Sequence, residues 1–354
     1  MNFWGWRDRM NPFAAYRAIN TKIHGKRRVL LEKSEWAKVA EYKSVSQIID
    51  FLSKRDGYKN IFALCKAEDI RRSDLEIILD RKSVGEIEQI LHYFSGSYKD
   101  FFKTFLLEYE INDLQLILRT ISRKENMEGI ENFFVHSNKW GLTNYEKLIA
   151  CRSVSQFIES LKGTIYYSAV KTITQEDMNK REFHLEMKLY ILFYKELFEK
   201  ASKLKAKDEA IAKELLGEKV DFINAQWIYR AIKYYDISPE EILVYSLPGG
   251  NKLTYSKLKA LSYAKNIEDL KKMTEKYLAY SLFGQKEDAF LDSMTNRYFL
   301  KKIGNMKHED ENIQYVLGHI FMLDIEMNDL IALTEGIRYA LPESEIKKFL
   351  AHNI

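Results

Sequence analysis

The sequence predicts an all-α protein, and three observations predict it. Backbone punctuation is scarce: 4 prolines and 15 glycines stand among 354 residues, against about 12% of residues in an average protein. Apolar residues recur at helical spacing, and helix-start patterns recur along the chain. Sandwiches, barrels and dinucleotide-binding sheets need glycine and proline at many tight turns, so those classes are disfavoured. Alternating strand-like runs of useful length are scarce. With 46% hydrophobic and 30% charged residues, the chain can bury a large core and is not disordered.

The elements follow in order. Ser44-Val45-Ser46-Gln47 reads as a capping box: the serine accepts from the backbone N–H three residues on, and the glutamine reaches back. Thr143 to Glu146 and Ser153-Val154-Ser155-Gln156 read the same way. Between His184 and Lys205, Tyr190, Phe193, Leu197, Ala201 and Leu204 step by three or four, while Lys188, Lys195, Glu199 and Lys203 fall largely off that stripe. This is an amphipathic helix of several turns. Ser238-Pro239-Glu240-Glu241 places proline at the first helical position and acids in the first turn. Leu341-Pro342-Glu343 repeats that start for the last helix.

Internal repetition organises these elements. Ser44, Ser153 and Asn266 each suit a helix cap, and each is preceded eight residues earlier by Trp36, Tyr145 or Leu258. Fourteen residues after each origin stands a tyrosine: Tyr58, Tyr167 and Tyr280. A second block recurs between them. Glu110-x-x-Asp113 precedes Arg119, Asp221-x-x-Asn224 precedes Arg230, and Glu326-x-x-Asp329 precedes Glu335, at the same steps. Both blocks repeat after about 110 residues, longer than a solenoid unit. Three homologous helical modules follow, bounded at 1–123, 124–235 and 236–354. They could stack in a line or close around a pseudo-threefold axis.

Lys+Arg total 55 and Asp+Glu 51, a net charge of +4. That balance is too weak to argue nucleic acid by itself. No run of 18 apolar residues spans a bilayer, and the start, with Trp4 and Trp6, lacks the apolar core of a signal peptide. Trp4 and Trp6 could form an exposed anchor or fold back on the body. Cys65 and Cys151 make no metal or redox spacing and read as reduced thiols. The seven histidines are scattered, and His308-Glu309-Asp310-Glu311 reads as a solvated acidic stretch rather than a metal cluster. Phosphate-loop, dinucleotide and nucleophile-elbow motifs are missing from the sequence. Gly249-Gly250 after Pro248 reads as a turn.

The acid-x-x-Asp/Asn pairs could be carboxylate dyads, since residues three apart share a helix face. A hydrolase using Glu110 and Asp113 is one reading. The structural reading is a helix N-terminus, where acids meet the dipole and Asp or Asn caps. Three copies favour structure, because an enzyme seldom needs one acid pair three times. Arg119 and Arg230 then pair with neighbouring acids. Lys22, Lys26, Arg27, Arg28 and Lys33 form the best basic cluster. It could be a solvated helix face or meet phosphates, headgroups or an acidic partner. A helical scaffold binding nucleic acid through residues 22–33 is therefore the alternative.

Several runs resemble one family. They are Tyr16-Arg17-Ala18-Ile19-Asn20-Thr21-Lys22-Ile23 with Leu30-Leu31, and Asp221-Phe222-Ile223-Asn224 through Trp227-Ile228-Tyr229-Arg230-Ala231. Tyr234-Tyr235, Ser238-Pro239-Glu240-Glu241 and Leu247-Pro248-Gly249-Gly250 continue the pattern, and Glu335-Gly336-Ile337-Arg338-Tyr339-Ala340-Leu341-Pro342 closes it. One departure is Gly336-Ile337-Arg338, where the family commonly has a basic residue directly after glycine. Over essentially its whole length, the chain resembles the C-type stalk components of bacterial and archaeal V/A-type rotary ATPases. Their eukaryotic counterpart is the d component of the membrane sector.

The resemblance implies an all-α funnel of three modules, so it selects ring closure over a line. It implies a non-catalytic rotor part, peripheral on the cytoplasmic face of the membrane. Such a part joins the ion-carrying membrane ring to the central shaft, built from the D and F components, and couples ATP hydrolysis or synthesis to H⁺ or Na⁺ transport. It implies no catalytic residue, metal or cofactor, no nucleic-acid partner, and contact with the membrane through the ring only. Lys26, Arg27 and Arg28 are the candidate charged interface.

Overall fold

Caps are local, so helix starts can be checked directly against the residues that signal them. A computed structural model describes residues 12–63, 70–180, 183–235, 237–284, 290–306 and 312–352. Among them every regular element is a helix and no strand occurs. Trp4, Trp6, Cys65 and His308–Glu311 lie outside the described residues.

Ser44 accepts from the Gln47 N–H at 3.3 Å, Ser153 from Gln156 at 3.2 Å, and Asn266 from Asp269 at 2.8 Å. The two glutamines reach back one residue beyond the cap, accepting from the Lys43 and Arg152 N–H groups at 2.8 Å. Ser238 caps its helix through the Glu241 N–H at 3.2 Å, with Pro239 at the first position. The box expected at Thr143 is shifted by one residue. Asn144 is the cap there, accepting from Lys147 at 3.0 Å, because Thr143 is committed to Glu110. The helix expected from His184 onward spans Phe183–Ala201 and buries Leu185, Leu189, Leu192, Phe193, Tyr194, Leu197 and Ala201. Leu204 is buried beyond its end.

Contacts divide the chain into two compact units. The first comprises Met1–Phe94, Ala206–Ala212 and Ser281–Ile354. Its centre is the long helix Gln314–Arg338, which packs against Pro12–Arg27, Val45–Ser53, Arg72–Leu91, Leu291–Gly304 and Glu343–Phe349. Leu323, Met327, Leu330, Leu333 and Ile337 from that helix join Trp36, Val39, Ile48, Leu52, Leu75 and Leu79 in one apolar core. Burial of such side chains contributes about 1.5–3 kcal/mol each. Two arginines finish helix ends here. Arg297 donates to the Lys347, Lys348 and Leu350 carbonyls at 2.8–3.1 Å. Arg55 donates to the Val29 and Leu30 carbonyls, at 3.3 and 3.1 Å, just beyond Pro12–Arg27. Each neutralises the negative end of a helix dipole.

The second unit comprises Ser95–Lys205 and Lys213–Tyr280. Phe183–Ala201 packs on Gly96–Thr104 and on Leu106–Ser122. The 29-residue helix Ala206–Tyr234 supplies this unit with Leu215, Leu216, Phe222, Ala225 and Ile228, all buried. None of the helices in the described residues is long and apolar enough to cross a membrane.

Candidate functional site

Each of the three acid pairs sits on a long helix, and every one of the six side chains is at most 2% exposed. Buried charge of this kind must be satisfied by donors. In the first copy, on Leu106–Ser122, Asp113 accepts from the Val135 and His136 N–H groups at 2.9–3.1 Å, and the His136 ring Nδ1 lies 2.7 Å away. Glu110 accepts from the Leu142 and Thr143 N–H groups at 2.9–3.1 Å, the Thr143 hydroxyl at 2.7 Å and the Tyr166 hydroxyl at 2.9 Å. The pair therefore clamps both ends of the loop between residues 135 and 143.

The second copy, on Ala206–Tyr234, repeats the plan without a histidine. Asp221 accepts from the Asn251, Lys252 and Leu253 N–H groups at 2.7–3.1 Å. Asn224 pairs both ways with Leu247: its amide donates to the Leu247 carbonyl at 2.9 Å and its oxygen accepts from the Leu247 N–H at 2.7 Å. Between the clamps runs Pro248-Gly249-Gly250. Gly249 has φ +89, and a Cβ on Gly250 would stand 2.4 Å from Asp221 Oδ1. The turn expected here thus needs its glycines for two different reasons.

The third copy, on Gln314–Arg338, uses both ends of the chain. Asp329 accepts from the Ala351 and His352 N–H groups at 2.9 Å, with the His352 ring Nδ1 2.7 Å away. Glu326 accepts from the Leu31 N–H at 2.9 Å and from the Tyr58 hydroxyl. The block of residues 31–58 is therefore held by the last long helix, more than 260 residues later. Burial pushes the Glu326 carboxyl above its ordinary value, against the opposing pull of Tyr58 and Leu31. Burial also raises Tyr58, and Asp221 is raised for the same reason despite its three N–H donors.

This geometry corrects the helix-terminus reading of the pairs. Asp221 and Glu326 stand in the interiors of their helices, and all three pairs bind loops distant in sequence rather than cap their own helix. Their oxygens are occupied by fixed donors inside the protein, so the arrangement holds loops in place. The tyrosine that bonds to Glu110 is Tyr166, the neighbour of the repeat's Tyr167. Arg119 pairs with Glu186, as expected of it.

The basic segment separates into engaged and exposed residues. Lys26 is bound to Glu86 and donates to Gln89 at 2.8 Å. The Arg27 guanidinium lies 3.8 Å over the Tyr315 ring and donates to the Tyr315 carbonyl at 2.9 Å; burial lowers its pKa. Arg28, Lys22 and Lys33 are exposed. Asp208, which the sequence did not single out, is a further buried anchor. It accepts from the Tyr16 hydroxyl at 2.6 Å and from the Ile313 N–H at 3.0 Å. Cys151 is a buried free thiol. Among the described residues no group of three or more side chains is placed to hold a metal ion.

The fold and these sites define an all-helical protein whose buried acids act as loop anchors, repeated on three long helices. The chain belongs to the ATP synthase (C/AC39) subunit family, whose model matches residues 19–349. It is 26% identical over 258 residues to the C component of the A-type ATP synthase of Archaeoglobus fulgidus, covering 72% of each chain. It is 23% identical over 332 residues to the same component from Methanosarcina mazei, covering 92% of this chain and 90% of the relative. The Thermococcus kodakarensis counterpart aligns over 361 residues at 19% identity, covering 98% and 93%.

Proposed function

We propose that the chain is a central-stalk adaptor of a V/A-type rotary ATPase, without an active site or cofactor of its own. It joins the ion-carrying membrane ring to the central shaft, built from the D and F components, at the cytoplasmic face. Through it, torque links ATP hydrolysis or synthesis to H⁺ or Na⁺ transport. Three modules, 1–123, 124–235 and 236–354, close around a pseudo-threefold axis to form a funnel. The observation that carries the reading is the family match over residues 19–349. The anchors support it: a part that transmits torque must not yield at its loops, and charged acceptors with several fixed donors resist displacement.

Of the candidate interface residues, Arg28 is the one with an exposed charge. Lys26 and Arg27 contribute first to holding Pro12–Arg27 in its unit. The same engagement removes two basic groups from the nucleic-acid alternative. Affinity purification of the tagged chain from detergent-solubilised membranes, read by mass spectrometry, tests the proposal. Ring and shaft proteins are expected to co-purify, and R28E is expected to reduce their recovery without lowering the thermal midpoint. Recovery of RNA in their place would overturn the proposal.

A further inference from the structure

The loop clamped by Asp113 and Glu110 carries Lys139 and Trp140 between its fixed ends. Its interior is also tied down. The Trp140 N–H donates to the Ser137 hydroxyl at 3.0 Å, and the Gly141 N–H to the Ser137 carbonyl at 2.9 Å. Both are backbone donors, so the stretch of loop that bears the indole is fixed. Lys99 and Lys103, one turn apart on Gly96–Thr104, approach the same ring. Their ammonium groups lie 4.8 and 5.2 Å from its centroid, and that of Lys139 lies at 5.3 Å.

An aromatic face attracts a cation by about 0.5–1 kcal/mol at an exposed site. That is enough to orient one lysine, but three ammonium groups on one ring repel each other. Elsewhere on this unit lysines meet acids: Lys162 pairs with Glu159, Lys200 with Glu196 and Lys203 with Glu199. Among the described residues, no carboxylate pairs with Lys99, Lys103 or Lys139. Asp100, between the first two in sequence, is exposed and bonds to neither through its side chain. In a chain with nearly balanced charge, this is a preorganised, uncompensated cationic spot.

We infer that the Lys99, Lys103 and Lys139 cluster around Trp140 is a binding site for a phosphate group. Lysine ammoniums are compact point charges, suited to a compact polyvalent anion, whereas planar carboxylates are better met by the arginine fork. Convergence on one ring also favours a single phosphate over an acidic peptide, whose charges are spread along a chain. The phosphate can come from a soluble ligand or from a lipid headgroup.

The full chain would be titrated with pyrophosphate by calorimetry. In parallel it would be floated with phosphatidylcholine vesicles with and without phosphatidylglycerol. Binding in at least one arm is expected, weakening as salt is raised. Pyrophosphate binding alone identifies a soluble ligand, and binding that requires phosphatidylglycerol identifies a headgroup. The K99Q/K103Q/K139Q variant should lose at least about tenfold in affinity while keeping its helical circular-dichroism spectrum and thermal midpoint. Failure of both arms, undiminished binding by the triple variant, or binding only to a polyglutamate peptide overturns the inference.

Discussion

The Asp113 and Asn224 anchors solve one packing problem in two ways. Asp113 gathers two successive N–H groups and the His136 ring, and that ring stacks on Tyr145 at 3.6 Å and 9°. Asp329 does the same with His352, stacked on Trp36 at 4.5 Å and 17°. Where the acid becomes Asn224, the residue at the histidine position is Leu247 and the aromatic gives way to Leu258. A carboxylate accepts only, so it needs several donors and recruits an imidazole. An amide donates and accepts, so it closes a two-way pair with the N–H and C=O of one residue and leaves room for aliphatic packing. Side chains that touch thus change together: the anchor is a unit of acceptor, partner ring and stacking surface.

The largest effect expected from this comparison is the loss of a charged anchor. D113A leaves two buried N–H groups and the His136 ring without their acceptor. We expect a loss of about 3–5 kcal/mol in stability, since each unsatisfied buried donor costs about 1–3 kcal/mol. N224A breaks one two-way pair and should cost less, about 2–3 kcal/mol. Urea unfolding of the two variants checks the order, and equal losses would show that the charge of the anchor adds nothing.

The next effect separates the anchors by pH. The Glu326 anchor shares its helix with His319, which is buried and driven down to about 3 by desolvation, with Arg27, Lys26 and Lys82 opposing its charge and Glu86 favouring it. The unfolded chain protonates this histidine below its ordinary 6.5 while the folded chain does not. Its contribution is therefore present above pH 6.5 and lost as pH falls toward 3, at about 1.4 kcal/mol per unit. Glu326 has the opposite sign. Its raised folded value means the unfolded state releases the proton first, so stability falls as pH rises from 4.5 to that value. Denaturation midpoints against pH should flatten on the acid side for H319L. For E326Q the difference from wild type should run the other way. Parallel curves for all three proteins would remove the titration argument.

Much of this was legible in sequence, and the limits are physical. Ser44, Ser153, Asn266 and Ser238 were readable because a cap bonds to a backbone group three residues away. The acid pairs were visible as a repeat, but their role was not. Spacing of three fits a helix terminus as well as a helix interior, and the loops they hold lie 22 to 33 residues downstream in the first copy. The union of Glu326 with Leu31 and Tyr58 leaves no local trace, because it depends on both ends of the chain packing in one unit. The repeat likewise does not show that Tyr166 rather than Tyr167 meets Glu110: counting from the cap cannot tell which tyrosine faces the buried acid. The lysines around Trp140 were scattered in sequence and become a cluster only when Gly96–Thr104 meets the clamped loop.

The smallest effect is the most direct test that acceptor and ring form a unit. D113N turns the Asp113 anchor toward the Asn224 type but keeps a histidine that the amide serves poorly. H136L removes the ring but leaves a carboxylate short of a donor. Each alone breaks one side of the pair. D113N/H136L restores the combination found at Asn224 and Leu247, apart from the aromatic Tyr145, which loses its stacking partner in both variants that lack His136. Residues in contact couple by about 0.5–3 kcal/mol, and we expect the double variant to be about 1 kcal/mol more stable than the sum of the single losses. Strict additivity in the unfolding free energies would mean that aspartate and histidine act independently. The change to asparagine and leucine in the other anchor would then be coincidence rather than a second solution to the same constraint.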